Sequence, residues 1–265
     1  MNGRVVRKVC AGASGVVVLT ALALALAPVG ATVSQAPAGG TSVRIASAQP
    51  LTGFAGFLGP GLRDAVQLAI DEHGPVKGFP VEHAVFDSGC ADEAMAVGAA
   101  SDIVADGSIV AVVGESCSAF GESWIPVFES AGVPIVSPTA TRPSLPQYGP
   151  TVFNRVVVSE PDDEAWYAVV AALPSVADFQ DRFEARYGTP ATVFAELAYD
   201  AAWTILAALD RVARVEHGSL VVDRARLARA IRATDGLLGV TCKITFDELG
   251  NRQNKPQQLA RCADV

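Results

Sequence analysis

The segment Gly114-Glu115-Ser116-Cys117-Ser118 puts two hydroxyls, a thiol and a carboxylate in five residues, directly after an apolar run. Such a serine suggests acyl transfer from a nucleophile elbow, but that elbow needs a second glycine where Ser118 stands. The base would have to be His73, His83 or His217, the three histidines of the chain. His73 closes a helix beside Gly74, His83 lies within a strand, and His217 falls in a polar turn. None is expected at the carboxyl end of a strand, so hydrolysis at Ser116 is the weakest reading and no enzyme activity is expected. The stretch Gly53 to Gly61 (GFAGFLGPG) follows a strand and opens a helix, with Asp87 after the next strand as a ribose-binding candidate. Its spacing is not Gly-x-Gly-x-x-Gly, and Pro60 removes a backbone donor where phosphate would sit. No Gly-Lys-Ser/Thr loop occurs, the histidines and cysteines lack metal-ligand spacing, and neither cofactor nor metal is expected. A third set of groups is more promising. The loop Leu51 to Gly59, the turn with Ser116 and Ser118, and the turn with Thr139 and Thr141 would offer hydroxyls and helix-start amides to a small anion such as a carboxylate. Ser118 and Thr141 would serve equally well as helix caps, so residue type alone leaves both roles open.

These groups converge only if the chain forms a parallel sheet, and its pattern predicts one. Val43–Ala48 and Val81–Phe86 read as strands. Ile109–Val113 is an unbroken apolar run, as in a strand buried on both faces. Val133–Val136 is a fourth strand. Helices are expected over Leu62–Glu72, where Leu62, Val66, Ala69 and Ile70 share one face, over Asp92–Ala105, and from the Ser118 turn to about Ser130. Repeated β-α units of this kind give a doubly wound α/β sheet, whose ligands bind at the strand carboxyl ends. Beyond Pro161 the pattern becomes helical, over Asp163–Leu173, Phe179–Tyr187, Phe194–Val212 and Asp223–Arg232. A terminal hairpin is predicted from Val240–Phe246, a turn at Asp247–Asn251 and a strand over Gln257–Cys262.

The first 31 residues have the layout of a secretory signal: Arg4, Arg7 and Lys8, then an apolar stretch Val16–Ala27, then small residues up to Ala31. Twelve apolar residues are short for a bilayer span of about 20, and an uncleaved anchor is the lesser alternative. Residues 32–42 read as a flexible leader and 43–265 as one folded unit. Within it, 43–155 carries the β-α units, 163–235 the helices and 239–262 the hairpin. The expected location is exported, either periplasmic or outside the cell. Half of the residues are hydrophobic, which makes the body globular. Without the signal, 17 basic residues face 28 acidic ones, a net charge of −11. That balance, with no basic run, excludes nucleic acid as a partner. Four cysteines, Cys90, Cys117, Cys242 and Cys262, follow the signal, and in an oxidising compartment an even number favours disulfides in one of three pairings.

Several segments, in order, resemble the first lobe of the type I periplasmic substrate-binding proteins, in the leucine/isoleucine/valine-binding branch that serves ATP-binding cassette importers. They are Pro50-Leu51-Thr52-Gly53, Gly61–Glu72 (GLRDAVQLAIDE), Phe86–Cys90 (FDSGC), Val113–Ser118 (VGESCS), Val133–Thr141 (VPIVSPTAT) and Phe153-Asn154-Arg155. The likeness resumes at Phe179–Gly188, at Tyr199-Asp200-Ala201 and over Gly239–Arg252. Most of the second lobe, which the family places between the positions of Arg155 and Phe179, is missing. The resemblance implies that Ser118 contacts a ligand carboxylate and that Thr139 and Thr141 hold the main-chain groups of an amino acid. It puts Leu58 where an aromatic residue often stacks, and it implies no counterpart to the acidic and aromatic contacts of the second lobe. It also implies a Cys90–Cys117 disulfide, leaving Cys242 and Cys262 to each other.

A single lobe limits affinity. Two or three hydrogen bonds to a carboxylate contribute roughly 1.5–3 kcal/mol each, against association costs of at least ~4 kcal/mol. The net is about −4 kcal/mol, near millimolar. The expected function is therefore a shortened amino-acid receptor with a membrane permease as partner. The alternative is an interaction module or remnant whose bare cleft face, around Phe54, Phe57 and Leu58, binds a protein or a second copy of itself.

Overall fold

The computed structural model describes residues 38–253. The signal segment, the Gln257–Cys262 strand and Cys262 itself lie outside them. In chain order the first elements are β1 (Ala38–Gly40), β2 (Val43–Gln49), α1 (Gly59–His73), β3 (Val81–Asp87), α2 (Glu93–Ala105), β4 (Ile109–Gly114), α3 (Gly121–Ala131), β5 (Ile135–Ser137) and β6 (Phe153–Arg155). Five of these strands form one parallel sheet in the order β3-β2-β4-β5-β6. Every residue of β4 is buried, as its unbroken apolar run requires, whereas β3 at the edge is half-exposed. Alternate side chains of the sheet feed two cores. Val43, Ile45 and Val113 point to one face, while Ala46, Val112 and Ile135 point to the other, beside Trp124 and Phe128 of α3.

Helix α1 begins three residues earlier than its apolar spacing suggests. Pro60 sits in its first turn, where a missing N–H has no helical partner to lose. Gly59 is required there, because a Cβ would collide with the Pro50 carbonyl. Helix α2 starts where predicted, its cap Asp92 accepting the amides of Ala94 at 2.9 Å and Met95 at 3.2 Å.

Downstream lie α4 (Asp163–Val170), α5 (Pro174–Tyr187), α6 (Ala195–Val212), β7 (Arg214–Glu216), β8 (Ser219–Val222), α7 (Arg224–Arg232), β9 (Leu237–Gly239) and β10 (Cys242–Ile244). The single helix expected over Asp163–Leu173 stops at Val170, and Pro174 then opens α5 in its own first turn. Between β6 and α6 the described chain therefore holds two short helices and no strand. Helix α6 is buried on nearly every side, Trp203, Ala207, Asp210 and Arg211 excepted, because α1, the sheet and α7 surround it. Its apolar spacing had indicated one face only.

Three expectations need correction. The leader was expected to be flexible to residue 42, but Ala38–Gly40 is β1 and pairs antiparallel with β8. The β7–β8 hairpin turns at His217-Gly218, both with positive φ, and was not foreseen as strands. The strand expected over Val240–Phe246 is confined to Cys242–Ile244, and among the described residues it pairs with β9. Asp200 on α6 explains that pairing. It is fully buried and accepts the amides of Val240 at 2.8 Å and Thr241 at 2.9 Å, together with the Thr241 hydroxyl. Gly239 lets the hairpin approach, since any Cβ there would meet the Asp200 carboxylate.

Candidate functional site

The carboxyl ends of β2, β4 and β5 open into a cleft of about 340 Å³. Its floor is built from three turns. After β2, Pro50 and Leu58 line it, and the loop between them is held by Asp87, which accepts the amide of Leu51 at 2.9 Å and the hydroxyl of Thr52 at 2.5 Å. Asp87 is thus a loop anchor, and these bonds hold its carboxyl below the usual range against the opposing effect of burial.

After β4 come Ser116 and Cys117, and after β5 come Thr139 and Thr141. The Ser116 hydroxyl donates to the Gln49 side chain at the end of β2. The Thr139 hydroxyl donates to the Ser116 carbonyl at 2.5 Å. Ser118 does not cap α3, whose cap Phe120 makes no side-chain bond. Its Oγ instead accepts the amides of Thr141 at 3.0 Å and Arg142 at 3.1 Å, tying the β4 turn to the β5 turn. Thr141 caps no helix either. Its hydroxyl donates to Glu160 Oε1 at 2.8 Å. Ser118, Thr139 and Thr141 are therefore brought together, with Ser118 behind the two threonines as the link.

Behind the turns, Arg155 donates from Nη1 to the carbonyls of Ala140 at 3.0 Å and Arg142 at 2.9 Å, and from Nε and Nη2 to Asn251 Oδ1. Burial pulls its guanidinium down to about 10. Cys90 and Cys117 form a disulfide with Cα atoms 5.8 Å apart, which pins the β4 turn to the segment after β3. Cys242 is also disulfide-bonded. Glu115, beside this bridge, is buried and accepts from Ser88 at 3.2 Å and the Cys117 amide at 3.3 Å, and burial raises its carboxyl well above the usual range. Its oxygen and the two sulfurs lie within 4.8 Å of one another, but in the disulfide those sulfurs offer no thiolate to a metal.

The far wall of the cleft was not anticipated. Asp163, Glu164 and Tyr167 of α4 line it, with Val157 after β6 and Phe194 before α6. The Tyr167 and Phe194 rings pack 4.8 Å apart, and the Phe194 amide donates to the Tyr167 hydroxyl at 3.3 Å. No counterpart to the second lobe's acidic and aromatic contacts was expected, and these α4 and Phe194 groups are the acidic and aromatic side chains that line the cleft here. Helix α4 was legible from its pattern, but its place across the cleft depends on the short route from β6. Leu58 faces this aromatic pair from the other side. Phe54 and Phe57 point away from the cleft and are 73% and 70% exposed.

The histidines stand elsewhere. His73 pairs with Asp210 at 3.1 Å, and His83 contacts Ser47 at 2.7 Å and Gln67 at 3.1 Å. His217 lies in the β7–β8 turn. None is beside Ser116.

Comparison with known proteins gives this architecture its relatives. Residues 42–164 match the periplasmic binding protein family. The leucine-, isoleucine-, valine-, threonine- and alanine-binding protein of Pseudomonas aeruginosa is 31% identical over 119 residues, which are 44% of this chain and 31% of that protein. The leucine-specific-binding protein of Salmonella typhimurium is 36% identical over 89 residues, 34% of this chain and 23% of that protein. The match thus spans less than a third of either relative. Among solved structures, a leucine binding protein LivK from Thermotoga maritima superposes with a TM-score of 0.64 at 19% identity, over 79% of this chain and 93% of that one. LivJ from Streptococcus pneumoniae, in complex with isoleucine, superposes with a TM-score of 0.67 at 14% identity, over 80% and 93%.

Proposed function

We propose, from a chain whose residues 42–164 match the periplasmic binding protein family and whose fold is that of the type I members, an exported substrate-binding protein that captures a small amino-acid-like solute for an ATP-binding cassette importer. The observation that carries this reading is the cleft itself. It lies at the strand carboxyl ends, where open α/β sheets bind ligands, and it joins polar turns on one side to an acidic and aromatic wall on the other. The ammonium of such a solute faces Asp163 and Glu164, and its hydrocarbon part packs against Leu58, Tyr167 and Phe194. The Ser118-braced turn of Thr139 and Thr141 takes the carboxylate. Helix α4 forms a fixed wall of the cleft. Binding near millimolar, about −4 kcal/mol, is the expectation for a cleft that cannot close.

The signal segment supports export, and no helix among the described residues is long and apolar enough to cross a membrane. Titration calorimetry of the chain from Thr32 onward, with leucine and valine, tests the proposal. Saturable heat that Tyr167→Ala and Phe194→Ala abolish supports it. Baseline heat up to ten millimolar from a folded chain removes the branched-chain amino acids as its solutes.

A second reading has its own observation. Phe54 and Phe57, both in the loop after β2, are strongly exposed, a surface suited to a protein partner or a second copy of this chain. Sedimentation of the wild type and of Phe54→Ser/Phe57→Ser decides whether that pair holds two copies together.

A further inference from the structure

The turns that floor the cleft have already committed their hydroxyls. Ser116 donates to Gln49, Thr139 donates to the Ser116 carbonyl, and Ser118 accepts two amides. The Thr141 hydroxyl, a natural donor to a ligand carboxylate, is taken by a carboxylate of this chain. Glu160 accepts from it at 2.8 Å. The contact is fixed from both sides: the Glu160 amide donates to the Thr141 carbonyl at 3.2 Å and the Ser159 hydroxyl to the same oxygen at 3.3 Å.

Asp163 and Glu164 add two more acids on the opposite wall, and no Lys, Arg or His lines the cleft among the described residues. The N-terminus of α4 offsets part of that negative charge. So does Arg155, whose guanidinium feels Asp247, Glu160 and Asp163, but its Nε, Nη1 and Nη2 already donate behind the turn. A solute carboxylate entering here must displace Glu160 and then sit among like charges. An ammonium meets the carboxylates of Asp163 and Glu164 and two aromatic rings, with Glu160 bonded to the lining Thr141 beside them, a favourable setting for a cation with a hydrocarbon body.

We propose that Glu160 is the specificity-determining residue of this cleft, occupying the hydroxyl of the lining Thr141 that a solute carboxylate would otherwise take, so that the cleft selects an apolar primary amine over the corresponding amino acid or carboxylic acid. The inference rests on the solute-capture reading for the existence of a binding cleft, and it changes which end of the solute is recognised. Three probes that share the isobutyl side chain separate the two ideas by calorimetry: isopentylamine, leucine and isocaproate. The wild type is expected to bind the amine most tightly and isocaproate least. Glu160→Gln is expected to weaken the amine about threefold to tenfold and to strengthen leucine by a similar factor, the size of one partly exposed charge contact. Glu160 is exposed, so the variant should keep the fold, and Glu160→Ala, which removes the whole acceptor, repeats the test. Leucine binding that exceeds amine binding and is unmoved by both variants overturns the role of Glu160 while leaving solute capture intact. Baseline heat with all three probes, in wild type and variants alike, overturns both.

Discussion

Replacing Ser118 with alanine separates the architecture of the cleft from its ligand chemistry. In the structure the Ser118 oxygen is the acceptor for two backbone amides, those of Thr141 at 3.0 Å and Arg142 at 3.1 Å. Alanine leaves both without a protein partner. Each such bond contributes about 0.5–1.5 kcal/mol, and water can reach this half-buried site, which favours the lower end of a 1–3 kcal/mol range. The expected loss is therefore about 1–2 kcal/mol. For a folded unit of this size that lowers Tm by about 3–6 °C. The turn should not dissolve, because Arg155 still holds the Ala140 and Arg142 carbonyls and Ser137 Oγ still accepts the Ala140 amide at 3.2 Å. Thr141→Val is the matched control. It removes a hydroxyl whose partner, Glu160, is exposed, and should cost about 0.5 kcal/mol or less. Urea unfolding of the three chains at pH 7 measures the difference. If Ser118→Ala is as stable as the wild type, or no less stable than Thr141→Val, the serine does not brace the turn and the account of the cleft floor is wrong.

Other consequences follow from the same structure. The Cys90–Cys117 bridge closes a 27-residue segment, and replacing both cysteines with serine should cost about 3–4 kcal/mol in urea midpoint analysis; an unchanged midpoint would contradict it. Asp200→Ala removes the acceptor of two amides and a hydroxyl and leaves the fully buried Arg252 without the carboxylate that offsets its charge. A loss of about 3–5 kcal/mol is expected, and one below 1 kcal/mol would show that the β9–β10 hairpin is held by other means. Burial, with the Arg63 charge nearby, lowers His83 to about 4. Between pH 6.5 and 4 the unfolded chain binds a proton there that the folded chain does not, so stability falls as pH falls through that window, by up to about 3 kcal/mol. His83→Gln should flatten the slope, and an unaltered pH profile would assign it to other groups.

The sheet was legible because its strands obey local rules. The unbroken run Ile109–Val113 could only be a strand buried on both faces, and Asp92 announced the start of α2 by its own side chain. The order of the β-α units then placed Ser116, Ser118, Thr139 and Thr141 at one edge. What each hydroxyl does there was not legible, because its partners come from other turns: Gln49 from β2, the Ser116 carbonyl from β4, Glu160 from the segment after β6. The hairpin after Gly236 was misregistered for the same reason. Its strand is aligned by Asp200, about 40 residues away on α6, and apolar alternation carries no trace of that contact.

Helix α4 shows the division most clearly. Its existence follows from composition and spacing, which set local backbone preference. Its role as the acidic and aromatic wall of the cleft follows from where a seven-residue link from β6 can deliver it, and from the packing of Tyr167 on Phe194 that holds it there. The sequence by itself determined the parallel α/β lobe, its acidic surface, its cysteine-bearing turns and the edge at which a ligand would dock. Only the tertiary structure decided that this edge faces a wall rather than bare solvent, and that Glu160 accepts the Thr141 hydroxyl there. Local preference fixes elements one at a time, whereas charge and hydrogen-bond complementarity exist only between groups that folding has brought within reach.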